Sequence, residues 1–335
     1  PEDLAPPKRT THLAQLGKVL TNQTLSPPVT WLMIYNLNPA VTLPNQNLIL
    51  KGLARENLFT VVHEQFMTES AKYADIILPA TTQFEHWDLM PSWGHTYITL
   101  NPPAIKPLGE SVSNTDLFRT LSKEMDFKET YLFTKDKDRI RDILSKKSDL
   151  LLNISFESLL ESGWAKLNTP RNWRPRSEGD FSTPSGKCEF YSEALMKLGR
   201  DPLPSHEPLV DEFNEEYPLH FVSAKTSHFL NSEYVNLPHK GIKKHFPQLQ
   251  INGADASARS ISEGDTVRVF NNLGEIEIKA KISADTLKGV VSMPFNWWMS
   301  STLNGSSANA LTPDGLSDFD IGSNAFDAKV EIIKI

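Results

Sequence analysis

The stretch HEQFMTESAKYADIILPATTQFEHWD, residues 63–88, concentrates side chains able to bind metals, take up protons or cap helices. Glu85, His86 and Asp88 combine two carboxylates with an imidazole, types that hold hard or borderline metal ions. A catalytic metal site needs at least three converging ligands and an open position. This cluster follows Pro79 in a segment that reads as loop, so hydrogen bonding to the surrounding chain is the expectation and metal binding the competing one. His63 and Glu64 begin a zinc-protease motif, but Met67 and Thr68 stand where its second imidazole belongs, which excludes that reading. Thr68 is a candidate helix cap. A helix start at a strand end also offers unpaired amides to phosphate, and the two roles stand level. Asn38-Pro39 is a turn signal as well as a candidate contact. Cys188 is the single cysteine, which excludes an intrachain disulfide and an all-cysteine zinc or iron–sulfur site. Its setting, KCEFYS, reads as a strand in which a thiol packs. Trp297 and Trp298 read as core or interface aromatics.

The elements that would position these groups follow from hydrophobic period. THLAQLGKVL places Leu13, Leu16, Val19 and Leu20 on one helical face. VTWLMIY (29–35), LFTVVH (58–63) and DIILP (75–79) are short apolar runs of strand length. Between them, PNQNLILKGLAR reads as a helix opening at Pro44, and FMTESAKYA as a helix capped by Thr68. Alternating apolar strands and helices imply a parallel sheet with helices on its faces, and ligands there sit at the strands' carboxyl ends. Beyond residue 90, SNTDLFRTLSKEM and KDKDRIRDILSKK read as helices and RDPLPSHEPLVDEFNEEYP as a linker. From Tyr217 onward, YPLHFVS, QLQING, DTVRVFNN, GEIEIKAKIS and GVVSMPF read as strands. The turn through Asn272–Gly274 makes a hairpin, and the short helix ADASARS interrupts what suggests a small closed barrel. The boundaries expected are 1–130 for the α/β part, 131–216 for connecting helices, loop and linker, and 217–335 for the barrel.

A chain of 335 residues can bury two cores, and 39% hydrophobic with 22% charged residues is the balance of a soluble globular protein. The net charge of −7 argues against nucleic acid as a partner. The basic run HKGIKKHF (239–246) reads as a solvated loop. No apolar run reaches the length of about 18 residues that a membrane span requires. The opening PEDLAPPKRT has neither an initiator Met nor a signal pattern, so the chain is expected to be an interior stretch of a longer polypeptide. A cytoplasmic location is expected, with the periplasm left open.

Five segments, in order, resemble one family: NPAVTLPNQN, LFTVVHEQFMTESAKYADIILPATTQFEHWD, TPSGKCEFYS, GADASARSISEGDTVRVFNNLGEIEIKAKIS and NALTPDGLSDFDIGSNAFDAKVEI. The resemblance is to the C-terminal half of the molybdopterin oxidoreductases that include formate dehydrogenases and dimethyl sulfoxide reductases. It implies an α/β Rossmann-like domain followed by a double-psi β-barrel, and two molybdopterin guanine dinucleotides on one molybdenum. The missing N-terminal half would bring a 4Fe-4S cluster and the molybdenum ligand. Partners implied are that half, a small-molecule substrate and an electron-transfer subunit.

By the same resemblance, Glu64 accepts from the guanine N1 and N2 groups, where the family often has Asp. Asn38 and Pro39 match the Asn-Pro pair near the dinucleotide, and Thr68 is a further contact. Lys225, His228 and Asn231 lie in a loop that reaches the pterin and diphosphate in relatives. Asn309 matches an amide that pairs with the pterin. Phe326 falls where some relatives place Tyr, and Asp327 where formate dehydrogenases often have Lys. The Glu85-His86 pair is common there and is not a metal ligand. No catalytic residue and no metal ligand is assigned within this chain. Two functions remain in view: the cofactor-binding portion of a molybdenum oxidoreductase carrying out two-electron redox on a small substrate, or a metal-free scaffold like the related domain of respiratory complex I. A hydrolase using Glu85, His86 and Asp88 is the weakest alternative.

Overall fold

The computed structural model describes residues 9–203, 205, 215–226, 229–236, 247–295, 297–316 and 322–335. It divides into two compact units, residues 1–78 with 209–335, and residues 79–208. The divisions thus fall at 78/79 and 208/209, whereas the sequence placed them at 130 and 216. Residues 79–130 go with the later stretch because residues 88–101 form one sheet and core with residues 140–166, and Arg119 pairs with Asp136.

In the first unit, α1 (Leu16–Thr21) follows a 3-10 turn and leads to β1 (Trp31–Tyr35). The helices α2 (Pro39–Thr42) and α3 (Gln46–Leu53), then β2 (Phe59–Glu64) and β3 (Ile76–Pro79), complete a three-stranded sheet of order β1-β2-β3. β1 and β2 are parallel, with Trp31 opposite Phe59 and Tyr35 opposite His63. Strand alternation sends Ile34 and Val62 into a core with Leu20, Ile49 and Leu53 of α1 and α3. Helices therefore pack on that face; on the other, Val61 and His63 are buried while Trp31, Tyr35 and Phe59 are exposed. Two local readings are also corrected. α3 opens at Gln46 after Asn45, which takes a left-handed conformation (φ 53°), so it is Pro39 that occupies a first helical turn. The 66–74 segment forms only the 3-10 turn Ala71–Tyr73 instead of a helix.

α1 and α3 meet through glycine. A Cβ on Gly52 would lie 2.5 Å from Leu20 Cβ, and one on Gly17 3.1 Å from the Ile49 nitrogen.

The second unit holds an antiparallel sheet of β4 (Asp88–Pro91), β5 (Tyr97–Asn101) and β6 (Trp164–Lys166), with helices α4 (Asn114–Glu124), α5 (Asp136–Ser145), α6 (Phe156–Ser162) and α7 (Glu193–Lys197). Ile98, Leu100, Ile140, Leu144, Phe156 and Leu159 make its core. Arg119 bridges Asp116 and Asp136 and so joins α4 to α5. The expected strand at KCEFYS does not form: Cys188 is exposed, and no strand pairs there.

The barrel follows from β7 (Leu219–Ala224), β8 (Gln248–Ile251), α8 (Gly253–Ala258), β9 (Thr266–Phe270), β10 (Glu275–Ile282), β11 (Val290–Pro294) and β12 (Lys329–Lys334). It closes in the order β10-β8-β11-β7-β12-β9. Period-two alternation puts Val267, Val269, Ile276, Ile278, Val330 and Ile332 inside. The hairpin expected from sequence is β9–β10, with Phe270 opposite Glu275. Asn271 Oδ1 holds the turn by accepting from the Leu273 and Gly274 amides.

Replacing Gly52 with Ala improves helix propensity by about 1 kcal/mol. The close approach to Leu20 nevertheless makes Gly52→Ala destabilising by about 1–3 kcal/mol. Urea denaturation of the two proteins checks this, and a gain in stability would contradict the packing.

Candidate cofactor-binding site

Buried amides fasten the α/β segment to the barrel within the first unit. Gln46 Nε2 donates to the Ala40 carbonyl at 2.6 Å, and its Oε1 accepts from the Ser307 amide at 2.8 Å. Asn309 Nδ2 donates to the Val41 carbonyl at 2.7 Å, and its Oδ1 accepts from Thr312 Oγ1 at 2.7 Å. The Asn45 amide donates to the Thr312 carbonyl, and Asn47 Nδ2 to the Leu273 carbonyl. Lys18 pairs with Asp314 at 3.1 Å. The loop after β1 is thereby set against the barrel turns at 273 and 307–314.

The TES triplet, residues 68–70, is spent on the same joint. Thr68 Oγ1 accepts from the Ala71 amide at 3.2 Å. Ser70 Oγ donates to Asn38 Oδ1 at 2.7 Å and accepts from the Ala40 amide at 3.0 Å. Glu69 bonds Lys72 at 2.6 Å and accepts from the Ser300 amide of the barrel at 3.3 Å. Asn38, Pro39, Thr68 and Asn309 are therefore brought together and are all buried. Asn38 Nδ2 is a buried donor that finds no partner among the described residues.

Glu64 ends β2 at that same carboxyl edge and is half-buried. Its Oε1 accepts from the Gln65 amide at 2.7 Å. Burial pushes its carboxyl above the ordinary carboxylate value, the Gln65 amide lowers it, and the charge of Glu233 on the barrel side raises it again. Glu64 thus lacks the donors that a buried carboxylate needs. The loop after β7 carries Lys225, exposed and without an ion pair among the described residues, and Thr226 Oγ1, a buried hydroxyl without a partner. Asn231 in this loop is exposed and left-handed (φ 51°). His228 and the basic run 239–246 lie outside the described residues. Phe326 is exposed in the approach to β12, where Asn324 Oδ1 is buried without a partner among the described residues. Trp297 packs edge-on against Phe229, and Trp298 Nε1 donates to the Ser232 carbonyl.

The Glu85 cluster belongs to the second unit; Glu85 is buried and Asp88 exposed, and each bonds nearby chain. Glu85 Oε2 accepts from the Thr82 amide at 2.6 Å and Thr82 Oγ1 at 2.8 Å, and its Oε1 from the Leu108 amide at 2.6 Å. These donors, Thr82 foremost, hold its carboxyl below the usual range. His86 Nδ1 sits 2.8 Å from Thr81 Oγ1, and Asp88 Oδ1 accepts from the Leu89 amide. Among the described residues no group of His, Cys, Asp or Glu side chains could hold a metal ion.

Sequence reasoning missed Glu69, Ser70, Gln46 and Glu233. The first three carried a readable signal, being polar residues at positions where a core helix or strand end expects apolar ones. Glu233 carried none.

Comparison with known proteins fixes the class of the chain. Residues 14–124 match the family described as "Molybdopterin oxidoreductase", and residues 219–327 the "Molydopterin dinucleotide binding domain". The probable oxidoreductase YoaE of Bacillus subtilis (strain 168) is 40% identical over 329 residues, 98% of this chain and 47% of that protein. Dimethyl sulfoxide reductase DmsA of Escherichia coli (strain K12) is 30% identical over 266 residues, 71% of this chain and 32% of that protein. The fold of acetylene hydratase from Pelobacter acetylenicus superposes with a TM-score of 0.79 at 22% identity, covering 97% of this chain and 47% of that one. The chain belongs to the dimethyl sulfoxide reductase family of molybdopterin oxidoreductases, an enzyme family whose cofactor is molybdenum carried by molybdopterin guanine dinucleotide. It spans about half the length of the relatives it matches most fully. No described helix is long and apolar enough to cross a membrane.

The two glutamates titrate with opposite sign. Glu85, lowered in the fold, contributes stability that is complete above its unfolded value of 4.5 and disappears as pH falls below it. Glu64, raised in the fold, binds its proton more tightly when folded, so its contribution falls as pH rises from 4.5. Urea unfolding across pH 3–7 is expected to show the disadvantage of Glu85→Gln vanish in acid, and Glu64→Gln gain on the wild type as pH rises.

Proposed function

We propose that this chain is the cofactor-binding, C-terminal portion of a molybdenum oxidoreductase that carries out two-electron redox on a small substrate. In this reading the three-stranded unit is the Rossmann-like element and the closed barrel is of the double-psi type. The observation that carries the proposal is Glu64, a half-buried carboxylate at a strand's carboxyl end with no cation paired to it among the described residues. Guanine presents two N–H donors to such a group, and adenine does not present that pair. The residues fit a guanine dinucleotide: Glu64 accepts from the base, Asn38 Nδ2 supplies an unpaired donor at the neighbouring strand end, and Lys225 with Thr226 offers charge and a hydroxyl to phosphate. Asn231, His228 and Phe326 belong to the barrel side of the same reading. Pro39, Thr68 and Asn309 position the loops through the bonds described above.

When bound, the molybdenum cofactor supplies the two-electron chemistry. The role of this chain is to bind and orient it and to keep water from its base. Two dinucleotides per molybdenum, a molybdenum-ligating side chain and an iron–sulfur cluster are assigned to the complete protein with its other half. Substrates of the kind reduced by dimethyl sulfoxide and trimethylamine N-oxide reductases are the class proposed.

In the complete protein, Glu64→Gln replaces one acceptor oxygen by a donor and is expected to lower retained guanine nucleotide by roughly 10–100-fold in affinity, the worth of a charge-assisted hydrogen bond. Nucleotide released on denaturation and quantified by chromatography checks this, and unchanged content would remove Glu64 from the role. A second expectation concerns residues 1–335 alone, which should hold no molybdenum. A diphosphate with half its donors missing stays in water, since desolvating charge without partners is costly. Stoichiometric molybdenum on elemental analysis of the isolated chain would overturn this division of labour.

A further inference from the structure

Glu233 stands in the barrel loop after β7, and the surrounding chain fixes it. Its amide donates to the Leu230 carbonyl at 2.9 Å, closing a tight turn through the left-handed Asn231 (φ 51°). Trp298 Nε1 donates to the Ser232 carbonyl at 2.8 Å, and the Ser300 amide donates to Glu69 Oε1 at 3.3 Å. One short stretch, residues 298–300, thus ties the turn that carries Glu233 to the loop that follows β2 and Glu64. Tyr234, next in the chain, is held in the left-handed region (φ 68°). That backbone costs a bulky residue about 1–3 kcal/mol and persists only where its surroundings impose it. The charge of Glu233 reaches Glu64, and neither carboxylate is paired with a cation among the described residues.

Two like charges set together repel, and a ligand that brings N–H donors relieves them. Glu64 alone takes two of guanine's N–H groups, N1–H and one of the pair on the 2-amino nitrogen. The second N–H of that amino group points away from Glu64 and needs an acceptor of its own. At the neighbouring strand end, Asn38 is 4% exposed and its Nδ2 is a donor without a partner among the described residues, a match for guanine O6. We propose that Glu233 is a specificity-determining residue that accepts the second N–H of the guanine 2-amino group, so that this group is shared between Glu64 and Glu233. This rests on the reading of Glu64 as the guanine acceptor. The pair selects guanine over hypoxanthine, which presents N1–H to Glu64 but has no 2-amino group. It rejects xanthine, whose 2-oxo group would face two carboxylates. Glu233 is exposed, so its bond competes with water and is worth about tenfold in affinity.

The test uses the complete protein, prepared without its cofactor and titrated with GDP and IDP, the diphosphates of guanosine and inosine. GDP is expected to bind at least tenfold more tightly. Glu233→Ala should remove that preference by weakening GDP and leaving IDP unchanged, whereas Glu233→Gln, which keeps an acceptor oxygen, should retain part of it. Glu64→Gln should weaken both nucleotides. Matching urea midpoints show that the Glu233 variants are folded. A Glu233→Ala effect equal for GDP and IDP would reduce Glu233 to a background charge and overturn the proposal while leaving Glu64 in its role. Loss of the preference on adding EDTA would give the carboxylate pair to a divalent cation and overturn it as well. Absence of GDP binding, or equal binding of the two nucleotides, would also overturn it. The guanine nucleotide content of the cofactor-loaded protein and of its Glu64→Gln variant then judges the Glu64 reading on its own.

Discussion

Two side-chain amides, Gln46 and Asn309, hold the first unit together. Each is buried, and each reaches across from one segment to the other: Gln46 from α3 to the Ser307 amide, Asn309 from the barrel to the Val41 carbonyl. An amide is suited to this because it offers donor and acceptor at once, and a buried backbone group left without a partner costs about 1–3 kcal/mol. Everything at the carboxyl edge inherits its position from these bonds. The short helix α2 is held by Asn309, the TES triplet is held through Asn38 and Ser300, and Glu64 is brought within electrostatic reach of Glu233. Gly274 belongs to the same constraint, since a Cβ there would lie 2.9 Å from the Ala310 carbonyl oxygen.

Two glutamates on either side of Pro79 show how little residue type alone decides. Glu85 looks like a metal ligand or a base in sequence, yet three donors from its own unit satisfy it and hold its proton off. Glu64 looks like half of an abandoned motif, yet the fold leaves it short of donors in a half-buried place. The structural glutamate has its partners, and the candidate ligand-binding one has an unmet demand. The same distinction separates Asn309, whose amide is used at both ends, from Asn38, whose nitrogen is not.

The barrel was legible because its strands are half-buried: Val267, Val269, Ile276 and Ile278 point inward at strict alternation, and the Asn271–Gly274 turn announces its hairpin. β1 and β2 were legible from apolar runs, but the exposure of Trp31, Tyr35 and Phe59 was not, because an apolar run does not say which of its residues a neighbour covers. The start of α3 at Gln46 and the collapse of the expected 66–74 helix to one turn are tertiary effects. Gln46, Glu69 and Ser70 direct their side chains to distant backbone and set where the chain turns. KCEFYS alternates well enough to suggest a strand but has no neighbour to pair with among the described residues, and strands β4, β5 and β6, of three to five residues, were not expected. Of the site, Asn38, Pro39, Thr68 and Asn309 do converge, whereas nothing in the sequence pointed to Glu233.

The barrel's closure also governs when it can form. β12, at residues 329–334, pairs with both β7 and β9 and is, among the described residues, the strand that joins them. A chain emerging from the ribosome presents β7 to β11 first, with two unpaired edges and an apolar interior open to water. Pairings of such long sequence separation form slowly, and exposed edges invite association with other chains in the interval. The barrel therefore cannot close until residues some sixty positions after β9 are available to pair with both of its free edges.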